Sequence, residues 1–124
     1  MVQVRGQYHV RSIQKVEDTG ELRFFSAIDE GLVLTVAQAG DIVSHLETEL
    51  AKLSTERAPD AIIACECILR KIEIEQIQAT GKISDILTEN KVVGFHTYGE
   101  QFNMLHVNQT FTGVALYAPE VDGG

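Results

Sequence analysis

An α+β fold is what this sequence predicts: a single domain with a mixed or mostly antiparallel sheet and about three helices packed on it. Three observations predict it. β-forming side chains cluster in the first third on either side of a turn signal, Glu17-Asp18-Thr19-Gly20. Apolar residues recur at helical spacing after Asp41. Later strand-like runs stand singly, and helical patterns follow them. The 124 residues are enough for one domain with one core. A hydrophobic content of 44% and a charged content of 23% are near globular averages and argue against gross disorder. No linker, repeat or low-complexity tract divides residues 1–124.

The elements follow in order as β-β-β-α-β-α-α-β-β. Tyr8, Val10 and Ile13 mark a strand near 7–15, and Leu22 to Ile28 its hairpin return. After a turn at Asp29-Glu30-Gly31, the nearly continuous apolar run Leu32 to Ala37 predicts a third strand, buried on both faces. Asp41 is a good N-cap, and Ile42, Val43, Leu46, Leu50 and Leu53 make the stripe of a helix running to about Arg57, with Pro59 beyond it. Ala61 to Cys65 is a short buried strand. Ile68, Leu69 and Ile72 open the next helix, with Glu66, Arg70, Lys71, Glu73 and Glu75 expected on its wet side. Gly81 is expected to break that helix and Ser84 to cap a short one ending at Asn90. Val92 to His96 and Thr112 to Tyr117 are the last strands, and 120–124 reads as a frayed or cut end.

The formal net charge of −8 disfavours nucleic acid, which needs clustered Lys and Arg, and equally disfavours anionic membrane surfaces. No apolar run approaches the roughly 20 residues that span a bilayer, and Met1 to Arg5 has no apolar core of a signal peptide. Cys65 and Cys67, two apart in a strand, are poorly placed for a mutual disulfide. Free thiols without a secretion signal point to a reducing cytoplasm.

Unusual chemistry concentrates between Gly94 and Gly113. Thr97, Tyr98, Glu100, Gln101, His106, Asn108, Gln109 and Thr110 offer donors, acceptors, one fixed negative charge and one titratable imidazole. A pocket for a zwitterion such as an amino acid wants this set: a carboxylate for the ammonium, and amides and hydroxyls for the carboxyl group. Gly99 and Gly113 would let backbone approach a ligand. The competing reading is a polar loop whose side chains cap backbone groups. His96 and His106, with Cys65 and Cys67, are the metal-ligand types, but their spacing matches no standard zinc pattern. Either thiol with a histidine would make a nucleophile pair, although the sequence marks no third orienting residue.

The run Gly94-Phe95-x-Thr97-Tyr98-Gly99-Glu100-Gln101, then His106-Val107-Asn108-Gln109-Thr110 and Thr112-Gly113-Val114-Ala115, resembles the C-terminal FIST domain (F-box and intracellular signal transduction). Tyr8-x-Val10-Arg11-Ser12, Phe24-Phe25-x-Ala27-Ile28-x-x-Gly31 and Cys65-x-Cys67-x-x-Arg70 are similar to the family's earlier blocks. The resemblance implies a sensory, small-ligand-binding domain of a signalling protein, as found in bacteria, with amino acids the proposed ligands and no enzymatic activity. It also implies an alternative, a haem-binding nitric-oxide sensor, with His106 the better axial candidate; otherwise no cofactor is expected. An N-terminal FIST domain normally precedes this one. The strand-like start at Val2 therefore reads as a cut from a longer chain, and that domain is the expected partner, as a structural docking neighbour if not as co-owner of the site. A homodimer stays open. His96 departs from the family pattern, which has a smaller residue there.

Overall fold

The computed structural model describes residues 1–4, 7–102 and 105–119. The fold is mixed α+β, with three helices and small antiparallel and mixed sheets. Its centre is one strand, β5 (Ala61–Cys67). Before it come β1 (Val2–Val4), β2 (Gln7–His9), β3 (Ile13–Val16), β4 (Leu22–Phe24) and α1 (Ile42–Leu53). After it come α2 (Ile68–Gln76), α3 (Thr80–Glu89), β6 (Val92–Thr97), β7 (Glu100–Phe102), β8 (Leu105–Val107) and β9 (Phe111–Leu116).

β5 lies between β6, parallel to it, and β9, antiparallel to it. Parallel neighbours need a crossover, and α2 and α3 supply it. Side chains alternate across a strand, so β5 divides its residues between two faces. Ile62 and Ala64 join Ile42, Val43, Leu46, Leu50, Ile74, Ile83 and Ile86 in one core beneath the helices. On the opposite face Ile63, Val93, Phe95, Val114 and Leu116 are exposed. The core is therefore one-sided, built where amphipathic helix stripes meet one sheet face.

α1 begins where its cap chemistry dictates. Asp41 accepts hydrogen bonds from the Val43 N–H (3.0 Å) and the Ser44 hydroxyl (2.5 Å). The helix ends at Leu53 rather than near Arg57. The Leu53 carbonyl accepts a bond from the Tyr117 hydroxyl (2.8 Å), which ties the helix end to the segment after β9.

Four expectations are corrected. The run 32–37 is no buried strand: only Leu34 bridges, to Val2, while Val33 is 77% and Val36 fully exposed. β-formers make a strand only where a neighbour completes the ladder, and among the described residues the backbone pairing of this run with another strand is limited to Met1 and Val2. Gly81 does not separate the helices. It sits in the first turn of α3, and the break falls at Gln78, which has a positive φ of 57°. Ser84 is consequently inside a helix and not its cap. Finally, Glu66 and Arg70 are not on a wet side; they are 8% and 9% exposed and face each other. A hairpin forms around Gly20, but the expected strand near 7–15 is split: β2 pairs with β1, only β3 pairs with β4, the return strand stops at Phe24, and Ile13, Val16 and Leu22 are half exposed, outside the core.

Candidate functional site

The polar segment gathers at the carboxyl end of β5. Its last residue, Cys67, lies opposite Thr97 of β6 in the parallel register. On its other side the Cys67 N–H donates to the Thr110 carbonyl at 3.0 Å, extending the β5–β9 ladder by one bond. Two threonines thus flank the strand end. Glu100 spans them. Its Oε1 accepts from the Thr97 hydroxyl at 2.7 Å, and its Oε2 accepts from the Thr110 hydroxyl. Glu100 is 7% exposed and forms no ion pair with the described residues. A buried carboxylate held, among the described residues, by two hydroxyls keeps acceptor capacity that an ammonium can use.

The second part of the cluster stands on the β7–β8 hairpin, whose strands the sequence does not announce. Asn108 follows β8 and is fully buried. Its Nδ2 lies 3.4 Å from His106 Nε2, and its Oδ1 has no partner among the described residues. Gly99 makes this arrangement possible. Its φ is +144°, and a Cβ there would fall 2.6 Å from His106 Nε2 and 2.9 Å from Asn108 Nδ2. Arg11 reaches over from the N-terminal region and donates to the His106 carbonyl at 3.0 Å.

Of the eight predicted site residues, the structure brings together Thr97, Glu100 and Thr110 in one group and His106 and Asn108 in another. Tyr98 is 88% exposed, and Gln101 also faces solvent. Gln109 turns outward with a φ of 56° and donates to Glu73 at 2.8 Å. Thr110 also borders a groove of about 850 Å³ between α1, β2 and β9, with His9, Leu50, Val107 and Phe111 among its walls. That groove reaches the edge of the Glu100 cluster.

Sequence reasoning missed a neighbouring group on the helix-covered face of the same strand end. Glu66, His96 and Phe111 form one cross-strand row there, with Arg70 beside it. The alternation Ile62-Ala64-Glu66 holds the signal, since it places Glu66 on the core side. His96, whose role the sequence leaves open, has Nδ1 3.5 Å from Glu66 Oε2.

A family model described as FIST C domain matches residues 1–103. The chain belongs to that family. FIST C domains are associated with signal transduction. The match takes in Thr97, Tyr98, Glu100 and Gln101 and stops before His106, Asn108, Gln109 and Thr110. No curated protein and no solved structure matches the chain. Among the described residues of this FIST C domain, no group of three His, Cys, Asp or Glu side chains could hold a metal ion. No helix among them is long and apolar enough to cross a membrane. Haem on His106 would need a free ring nitrogen and an apolar slot for the macrocycle. Here the ring is exposed, and one of its two nitrogens, Nε2, lies 3.4 Å from Asn108 Nδ2.

Proposed function

We infer that this FIST C domain is a sensory module that binds a small polar ligand, with an amino acid as the favoured class, at the carboxyl end of β5. One observation carries the reading: among the described residues Glu100 is buried without a cation, and the neighbouring group holds a fully buried Asn108 whose Oδ1 has no partner. Burying such groups unpaired costs free energy, and a ligand bearing an ammonium and further donors would recover it. Glu100 takes the ammonium, while Asn108 and the flanking hydroxyls hold the remaining polar groups. The role is binding and not catalysis. Ligand would favour one packing of the β7–β8 hairpin against β5, and the rest of a signalling protein would read that difference.

The test is a thermal-shift screen against the common amino acids with wild type and Glu100→Gln. A ligand at about 100 times its dissociation constant stabilises by about 2.7 kcal/mol. For a domain of this size that raises Tm by roughly 5 to 15 degrees. The expected result is a shift with one amino-acid class, lost in Glu100→Gln. An equal shift in both proteins removes Glu100 from the site.

The exposed apolar sheet face favours a second reading, in which the domain docks an N-terminal FIST domain. Ile63, Val93, Phe95, Val114 and Leu116 are each 45% or more exposed on one contiguous surface. A surface of this kind marks an interaction site. In that case Phe95→Glu with Val114→Lys abolishes association between the two FIST domains and leaves the amino-acid response of this domain intact.

A further inference from the structure

The other side of the sheet holds a second cavity, separate from the Glu100 cluster. It measures about 380 Å³, within the range of small-ligand pockets. Its floor is β5 and β6, and its walls are α2 and α3. The floor is low for a reason visible in the register. Ala64 lies between Gly94 of β6 and Gly113 of β9. A Cβ on Gly94 would fall 1.8 Å from the Ala64 carbonyl oxygen, so β6 can approach β5 only without one. Three adjacent positions on the helix face therefore carry two hydrogens and one methyl. The helices bridge over this row instead of filling it. Ile74, Ile83 and Leu87 provide an apolar roof.

One end of the cavity is charged. Glu66 is 8% exposed and lines it, as does His96. Glu66 Oε1 accepts from Arg70 Nε at 3.3 Å. Its Oε2 has His96 Nδ1 at 3.5 Å, too long for a good hydrogen bond, and accepts none from the described residues. Arg70 lies on the far side, over the Phe111 ring at 6.0 Å, and does not line the cavity. What the buried end presents to the cavity is thus a carboxylate oxygen, Oε2, with Arg70 balancing the charge from behind. At the mouth Lys71 and Glu75 largely offset each other, 3.8 Å apart.

We propose that this cavity binds a small organic amine: an apolar body over the Gly94–Ala64 floor and a protonated head on Glu66 Oε2. The chemistry selects the class. A carboxylate buried beside apolar walls favours a cation whose remaining surface is apolar, and it disfavours an anion of the same shape. Neither the residues nor the cavity is shared with the Glu100 cluster, so the proposal does not rest on the amino-acid reading.

The experiment is calorimetric titration of the whole chain with phenethylamine, and with phenylacetate as an anion of similar shape. Three variants accompany it. Glu66→Gln removes the charge. Ser84→Trp closes the mouth from an exposed position on α3, where the fold tolerates a larger side chain. Glu100→Gln leaves this cavity untouched. The expected result is saturable phenethylamine binding, weakened about tenfold or more by Glu66→Gln and by Ser84→Trp and unchanged in Glu100→Gln. Should Glu66→Gln fail to fold, Ser84→Trp decides alone. Equal binding of phenylacetate, full affinity in Ser84→Trp, loss in Glu100→Gln, or no saturable binding at millimolar amine each overturns the proposal.

Discussion

Glu66 at the end of β5 and Arg70 in the first turn of α2 form an ion pair across the strand-to-helix junction, Nε to Oε1 at 3.3 Å, with only 10% of either side chain exposed. The pair fixes where α2 leaves the sheet. Removing one partner strands a buried charge, so Arg70→Ala should cost about 3 kcal/mol in urea unfolding. Replacing both, as Glu66→Gln with Arg70→Met, should recover most of that loss. A double variant as unstable as the single one would show that Arg70 acts through packing on Phe111 instead.

Gly94 and Gly81 make a contrasting pair. A Cβ on Gly94 meets backbone that cannot move aside, and Gly94→Ala should destabilise by about 3 kcal/mol or prevent folding. Nothing lies within 4 Å of a Cβ on Gly81, which is helical, so Gly81→Ala should stabilise by about 0.5 kcal/mol. Denaturant midpoints of the two variants on either side of wild type are the expected outcome.

Glu100 depends on hydroxyls. Thr97→Val keeps shape and removes the donor at 2.7 Å, leaving a buried carboxylate oxygen unpaired. The expected cost is about 1–3 kcal/mol. Thr19→Val, which removes an exposed contact to Glu21 at 3.1 Å, should change stability by less than about 0.5 kcal/mol.

Asp60 gives the protein an acid-sensitive joint. The Ala118 N–H donates to its carboxylate at 2.6 Å, and this bond, with help from the Arg57 guanidinium, holds the pKa below the usual 3.8. The folded value lies below the unfolded one, so this stabilisation is present above pH 3.8 and is lost as pH falls through the folded value. Melting curves of wild type and Asp60→Asn should therefore differ at neutral pH and converge in acid. A gap that persists or widens in acid would contradict the assignment.

Much of this fold was legible because helix stripes are local. Ile42, Val43, Leu46 and Leu50 repeat at helical spacing and form the observed buried face of α1. Strands are less legible, since they exist only with partners. Leu32 to Ala37 has the composition of a buried strand and no complete ladder, whereas β7 and β8 have mixed polar composition and pair. Gly81 misleads for a related reason. The propensity cost of glycine is small in a first helical turn, and the positive φ that ends a helix falls on Gln78. Within the candidate site, Thr97, Glu100 and Thr110 could be named from chemistry, but that Glu100 spans both hydroxyls depends on β6 and β9 flanking the same strand. Glu66 and Arg70 were hidden by their charge. Charged residues at helical spacing read as a solvated face, and only the alternation along β5 opposes that reading.

The most direct test of ligand binding at the end of β5 is an amide chemical-shift titration of the chain with the amino acid that gives the largest thermal shift. The account predicts saturable perturbations concentrated at Thr97–Gln101 and His106–Thr110, with α3 unaffected. Perturbations confined to α3 and the middle of β6, or to the exposed sheet face, or absent altogether at saturating amino acid, would contradict it.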